Sequence, residues 1–397
     1  MVIGTEETFS REPIVLRFHD APAFVETYGF HGSQGLTLLE GQLLRRAGSR
    51  SKTLFIFMHP STTMNLLPMP LALAEAGLHV LCAASRYPKN DSALIMEKVA
   101  LDMGAWVRWA YEQAGYERVV LVGWSGGGSL SLFYQAQAEH PTIRDTPAGD
   151  PVDLVSAKLP SVDGVIFIAA HLSRAETLTE WMDPSIIDEL YPDKRNSHLD
   201  IYAPNSVVTP PFHPSFVAEF RAAQIARNRR ITDWCLDLLD RLKKSGTPEV
   251  ERAFVVHRTM CDPRWIDPTI DPNDRKPGTC YLGDPRTANV GPAGLARYSS
   301  LRSWLSQWSF DLSRAKGAEN AARIKKVPVL VIENSADDAV PATHPETIRR
   351  SLGTSDKEFV TIKNATHYYL GQPELLQQCV DSVLAWSRSR NLLPDAR

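Results

Sequence analysis

The stretch Val119–Tyr134, VVLVGWSGGGSLSLFY, decides how the rest of the chain is read. Four apolar residues run into Gly123, Trp124 and Ser125 follow, and three more glycines open a helical-looking segment. A strand that turns at once into a helix forces the residue at the turn into strained backbone geometry. Side chains two positions to either side would then collide. Gly123 and Gly127 remove that collision, and Gly123-x-Ser125-x-Gly127 matches the G-x-S-x-G elbow that lifts a hydroxyl clear at the C-terminal end of a strand. The following helix N-terminus turns N–H groups and the positive end of its dipole toward any charge developing there.

Working outward, short apolar runs recur at Thr53–His59, His79–Ser85, Arg118–Trp124, Gly164–Ala170, Val327–Glu333 and Glu358–Asn364. Most are continuous rather than alternating, as strands covered on both faces should be. Amphipathic segments lie between them: after Asp91, after Ser125, after His344, and over Pro373–Arg390. Strand, helix, strand with short links predicts a doubly wound α/β fold with a mostly parallel sheet and right-handed crossovers. Before it, Phe24–Arg46 (FVETYGFHGSQGLTLLEGQLLRR) reads as an antiparallel hairpin at the sheet edge.

One interval breaks this rhythm. Residues 171–326 hold no convincing buried strand and far exceed what a crossover needs. His213–Gly246 is a long helical pattern, and five of the nine tryptophans fall in the interval, at positions 181, 234, 265, 304 and 308. The expected layout is therefore a first core part over residues 1–170, a mainly helical cap or lid inserted over 171–326, and a second core part over 327–397. An independent domain is the alternative for the middle part.

A serine hydroxyl is a poor nucleophile until a base takes its proton. Beyond the insertion there are two histidines. His344 opens a helix, where a capping or surface role suffices. His367 follows the last strand, at the same sheet end as Ser125, and is the expected base. The imidazole in turn needs an acid to fix its tautomer. Asp337 and Asp338 lie on the loop leaving the Val327–Glu333 strand, at the edge where open parallel sheets bind ligands. Asp337, four residues before Pro341, is preferred over its neighbour.

These residues make the chain resemble the α/β-hydrolase superfamily, over essentially residues 14–390, as a serine esterase-like member with a large inserted cap. The order Ser125, Asp337, His367 is that family's order, and the resemblance implies a triad of these three. It also implies an oxyanion hole of backbone donors. The family often carries His-Gly after its third strand, whereas here the segment is MHPSTTMN, and Pro60 has no N–H to give. The expected donors are Gly126 and Ser61, with Thr62 in reserve, while His59 braces the loop. Trp124, His171, Trp181 and Thr62 are expected at the substrate pocket.

The resulting expectation is a serine hydrolase that cleaves a small to medium, fairly apolar carboxylic ester or lactone through an acyl-enzyme on Ser125. A C–C bond hydrolase or a thioesterase could use the same triad, and a non-catalytic binding protein could use the same fold. A net charge of −3 gives no reason to expect nucleic acid or an anionic membrane as a partner. No apolar run approaches a membrane span, and the polar N-terminal stretch has no signal-peptide core. Five scattered cysteines with no CxxC read as reduced thiols in a cytoplasmic protein. No metal cluster, P-loop or dinucleotide fingerprint is visible, so no metal or cofactor is expected. The oligomeric state is open, a homodimer being compatible with the sequence.

Overall fold

A computed structural model describes residues 9–20 and 36–394. In chain order, the first half of the fold comprises β1 (Phe9–His19), β2 (Leu36–Arg46), β3 (Thr53–Met58), α1 (Pro68–Glu75), β4 (His79–Ala83), α2 (Met96–Glu112), β5 (Arg118–Ser125), α3 (Gly126–Glu139), the single turn α4 (Leu154–Ala157) and β6 (Gly164–Ala170). After β6 come α5 (Arg174–Trp181), α6 (Pro214–Ser245), β7 (Ala253–Val255), α7 (Pro285–Val290), β8 (Tyr298–Ser300), α8 (Leu301–Ser303) and α9 (Gly317–Arg323). The chain then closes with β9 (Val329–Asn334), α10 (Thr343–Ser351), β10 (Lys357–Ile362) and α11 (Pro373–Ser389).

Eight strands form one sheet in the order β1-β2-β4-β3-β5-β6-β9-β10. From β4 to β10 the neighbours are parallel, while β2 runs antiparallel to both β1 and β4. The six runs read from the sequence as strands are β3, β4, β5, β6, β9 and β10. Their continuous apolarity has a direct cause, because the two faces of each strand feed different cores. Leu54, Ile56 and Met58 of β3 pack on one side with Val119 and Leu121 of β5, under α2 and α3. Phe55, Phe57, Val120 and Val122 pack on the other side, under α1 and α11.

An antiparallel pair stands at the sheet edge, formed by β1 (Phe9–His19) and β2. Residues 24–35 of the hairpin expected there lie outside the described residues. Strand β1 escaped notice because an edge strand keeps one side wet, so its sequence FSREPIVLRFH carries charges and leaves even Val15 56% exposed.

Between β6 and β9 the chain builds around apolar clusters of its own. Leu178, Ile231, Trp304 and Trp308 centre one cluster, Phe212, Phe216 and Phe220 a second, and Trp181, Met260 and Trp265 a third. The long helix α6 starts at His213, whose side chain accepts from the Ser215 amide. It stops at Gly246, whose φ of 67° is the left-handed conformation glycine adopts without strain. Strands β7 and β8 pair antiparallel as a small ribbon. Ala315, Ala321 and Ile324 have already rejoined the sheet core, and α9 packs on α3 and α10. Helix α9 is thus part of the layer that covers the sheet.

Polar contacts tie this segment to the sheet domain. The Arg174 guanidinium reaches Asp91 at 2.8 Å, the Gln307 amide donates to the Asp91 carbonyl at 2.7 Å, and the Trp265 indole donates to the Asp338 carbonyl at 2.6 Å. All five cysteines are free and buried. Among the described residues no helix is long and apolar enough to cross a membrane.

Candidate active site

Strand β5 ends at Ser125 and α3 begins at Gly126, with no loop between them. Ser125 has φ 52° and ψ −127°, a conformation that L residues rarely hold without surrounding constraint. The glycines supply that constraint, each for its own reason. A Cβ on Gly123 would sit 2.8 Å from the Gly128 Cα, and one on Gly127 would sit 2.5 Å from the Met58 carbonyl oxygen. One on Gly128 would sit 2.5 Å from the Ala170 Cβ, and one on Gly126 would overlap the His59 ring at Nε2. The elbow is therefore wedged between the ends of β3 and β6, and those ends leave room for hydrogen only.

His367 follows β10 and Asp337 follows β9, both 2% exposed. Their side chains meet in a 2.8 Å hydrogen bond between His367 Nδ1 and Asp337 Oδ2. The other Asp337 oxygen accepts the backbone N–H groups of Ala339 and Val340, each at 2.8 Å. The turn before Pro341 therefore orients the carboxylate. The neighbouring Asp338 meets the Trp265 indole through its carbonyl, and no hydrogen bond joins its carboxylate to His367. Burial, then the Asp337 charge, pushes the Asp338 carboxyl up to about 6.

With Nδ1 engaged, His367 has Nε2 left for Ser125, and both residues line one cavity of about 230 Å³. No hydrogen bond joins the two side chains, and such contacts often tighten only around substrate. Trp124 holds His367 in place: its ring lies 4.5 Å from the imidazole centroid, and its indole N–H donates to the His367 carbonyl at 3.3 Å.

The four pocket residues named from the sequence, Thr62, Trp124, His171 and Trp181, line this cavity, as do Gly126 and Ser61, named there as oxyanion donors. His171 meets the Thr177 hydroxyl at 3.1 Å through Nδ1. Burial, then His344 and His367, holds it well below the usual histidine range, so it is a neutral ring. Trp181 is 2% exposed and packs against His171, Trp265 and Tyr281, making it as much a core residue as a wall.

The Ser61 amide is engaged within its own loop. Its N–H donates to His59 Nδ1 at 3.2 Å, and the Thr62 amide donates to the same nitrogen at 3.1 Å. Both backbone donors are thereby held on the histidine ring. His344 also differs from a surface cap. It is 3% exposed, its Nδ1 accepts from the Leu172 amide at 3.3 Å, and its Nε2 lies 3.5 Å from Glu180.

Sequence reasoning missed Asp91, Arg174, Tyr281 and Leu295, which also line the cavity. They come from three distant segments with no shared motif. Only Arg174 had a signal, lying four residues past β6 with Ser173 as the helix cap before it. A larger cavity of about 980 Å³ opens at the opposite, N-terminal sheet edge among Arg45, Lys52, Arg118 and Arg388. Its lining has no serine–histidine–acid set, so size is a poorer guide here than chemistry.

No protein-family model matches the chain, and no curated protein matches it. Solved structures do. The chain is similar to DcsB, solved in complex with its substrate analogue, at 12% identity and a TM-score of 0.52, over 96% of this chain and 99% of that one. It is similar to the same degree (TM-score 0.52, 11% identity, 96% and 99% covered) to the alpha/beta hydrolase GrgF from Penicillium sp. sh18. The sheet order, the parallel strands and these likenesses show an α/β-hydrolase fold.

Proposed function

We propose that this protein is a serine hydrolase that cleaves a small carboxylic ester or lactone through an acyl-enzyme on Ser125. The observation that carries this reading is the His367–Asp337 hydrogen bond, formed at the same cavity into which a strained elbow presents Ser125. Ser125 Oγ attacks the carbonyl carbon as its proton passes to His367 Nε2, and Asp337 stabilises the imidazolium. The tetrahedral intermediate then expels the alcohol, which takes the proton from His367. Water repeats the sequence on the acyl-enzyme, releasing the acid and restoring the serine.

The cavity volume of about 230 Å³ is at the small end for ligand sites and favours a short acyl group. Trp124, Trp181 and Leu295 supply apolar wall, while Asp91 and Arg174 make another part of it polar. The layout we propose is a core of residues 1–170 and 327–397 with a cap over 171–326, in which α9 serves the core side. Trp181, Tyr281 and Leu295 reach the cavity from that insertion, which supports a lid role. The testing experiment is hydrolysis of p-nitrophenyl esters of graded acyl length, with lactones and acyl thioesters alongside, by wild type and Ser125→Ala. Turnover of short esters by the wild type, lost in the variant, is expected. Equal turnover by both would refute the reading.

A further inference from the structure

The Gly126 amide, at the first turn of α3, is one natural donor to the oxyanion in this mechanism. The second donor is missing from the backbone where the fold usually supplies it. Pro60 has no N–H, and the N–H groups of Ser61 and Thr62 are both spent on His59 Nδ1. That same capture fixes the histidine. Two N–H groups pointing at Nδ1 require a lone pair there, so the proton of the neutral ring sits on Nε2. Burial, then the charges of Arg174 and His367, holds the imidazole well below its usual range, which keeps it neutral.

Nε2 accepts and donates no hydrogen bond among the described residues. It occupies the space that a side chain on Gly126 would need, and His59 lines the cavity together with Ser125 and Gly126. An N–H donor with no hydrogen-bond partner among the described residues therefore stands against Gly126, in a ring that lines the cavity holding Ser125. Resting on the acyl-transfer reading above, we propose that His59 is a catalytic residue whose Nε2–H, together with the Gly126 amide, binds the oxyanion of the tetrahedral intermediate. The side chain replaces the backbone donor lost at Pro60. No proton is transferred in this step: the donor only stabilises charge, so the ring must stay neutral with its Nδ1 lone pair occupied.

A bracing role and a donor role use different atoms of the ring, and two substitutions separate them. His59→Asn places an amide oxygen near the position of Nδ1, so Ser61 and Thr62 keep their acceptor while the donor is lost. His59→Gln reaches toward the position of Nε2 with an N–H and gives up the brace. The proposal expects His59→Asn to lower kcat by about 10²-fold with KM within about 3-fold. Binding of a trifluoromethyl ketone transition-state mimic should weaken by a similar factor, with the thermal midpoint little changed. His59→Gln should retain more activity than His59→Asn. Near-normal kcat in His59→Asn, or His59→Gln the weaker of the two, overturns it and leaves His59 as a brace. If His59→Asn does not fold, the His59→Gln measurement decides alone: mimic binding near the wild-type value supports the donor, and a loss of about 10²-fold refutes it. Failure of the underlying reading is recognised separately, as equal hydrolysis by wild type and Ser125→Ala, and would take this proposal with it.

Discussion

Replacing Glu97 with glutamine should stabilise the protein above neutral pH and change little near pH 4.5. Glu97 lies in the first turn of α2 with no exposed surface. One carboxyl oxygen accepts from the Ser306 hydroxyl at 2.7 Å, and the other is buried without a partner. Burial, only partly offset by the Ser306 hydrogen bond, pushes its pKa from the usual 4.5 up to about 7. Between those two values the unfolded chain has released its proton while the folded one holds it, so the unfolded state binds fewer protons. Stability then falls as pH rises through this window and levels off once the folded carboxyl also ionises. At ~1.4 kcal/mol per pKa unit the cost at pH 8 is about 3 kcal/mol. Glutamine keeps the shape and a hydrogen bond to Ser306 without the charge. Urea unfolding at pH 5, 6, 7 and 8 should show a gap between variant and wild type that opens to about 3 kcal/mol with the slope of the transition unchanged. A gap independent of pH, or a variant less stable at pH 8, would show that burial does not hold the Glu97 carboxyl protonated. Because Ser306 also accepts the Met96 amide at 2.8 Å, this titration acts where the segment between β6 and β9 meets α2.

Two further substitutions probe the site. Asp337→Asn should lower ester hydrolysis at least ~10³-fold, because the acid acts as a unit with His367 and Ser125. Asp338→Asn, whose carboxylate makes no hydrogen bond to the imidazole, should be mild in the same steady-state assay, and the reverse order would reassign the acid. Trp181→Ala should cost ~3–5 kcal/mol in denaturant unfolding, since the ring is packed among His171, Trp265 and Tyr281. It should also raise KM for bulky esters more than for acetates, and an unchanged acyl-length profile would show that the ring is structural only.

What the sequence disclosed follows from how local each signal is. The buried strands, the elbow glycines and the long helix α6 are written in runs of neighbouring residues, and their patterns could be read directly. Asp337 and His367 could be placed because parallel strands deliver their following loops to one edge. Strand β1 was hidden, since a half-wet edge strand looks polar. The return of α9 to the sheet layer was also hidden, because Ala315, Ala321 and Ile324 are too sparse an apolar set to advertise a partner. The engagement of the Ser61 amide was hidden for a sharper reason. Its direction depends on the His59 side chain, and a hydrogen bond between a loop amide and a ring two residues earlier leaves no periodic trace. Asp91, Arg174 and Tyr281 converge only through tertiary packing.

In the proposed mechanism Ser125 is a nucleophile activated by His367 and Asp337. The most direct test is labelling of the folded protein with a fluorophosphonate, followed by intact mass and peptide mapping. The protein should gain one phosphonyl group, located on Ser125, and His367→Ala should slow its addition at least ~10³-fold. A folded wild-type protein that stays unlabelled, or carries the group on another residue, would show that Ser125 is not an activated nucleophile.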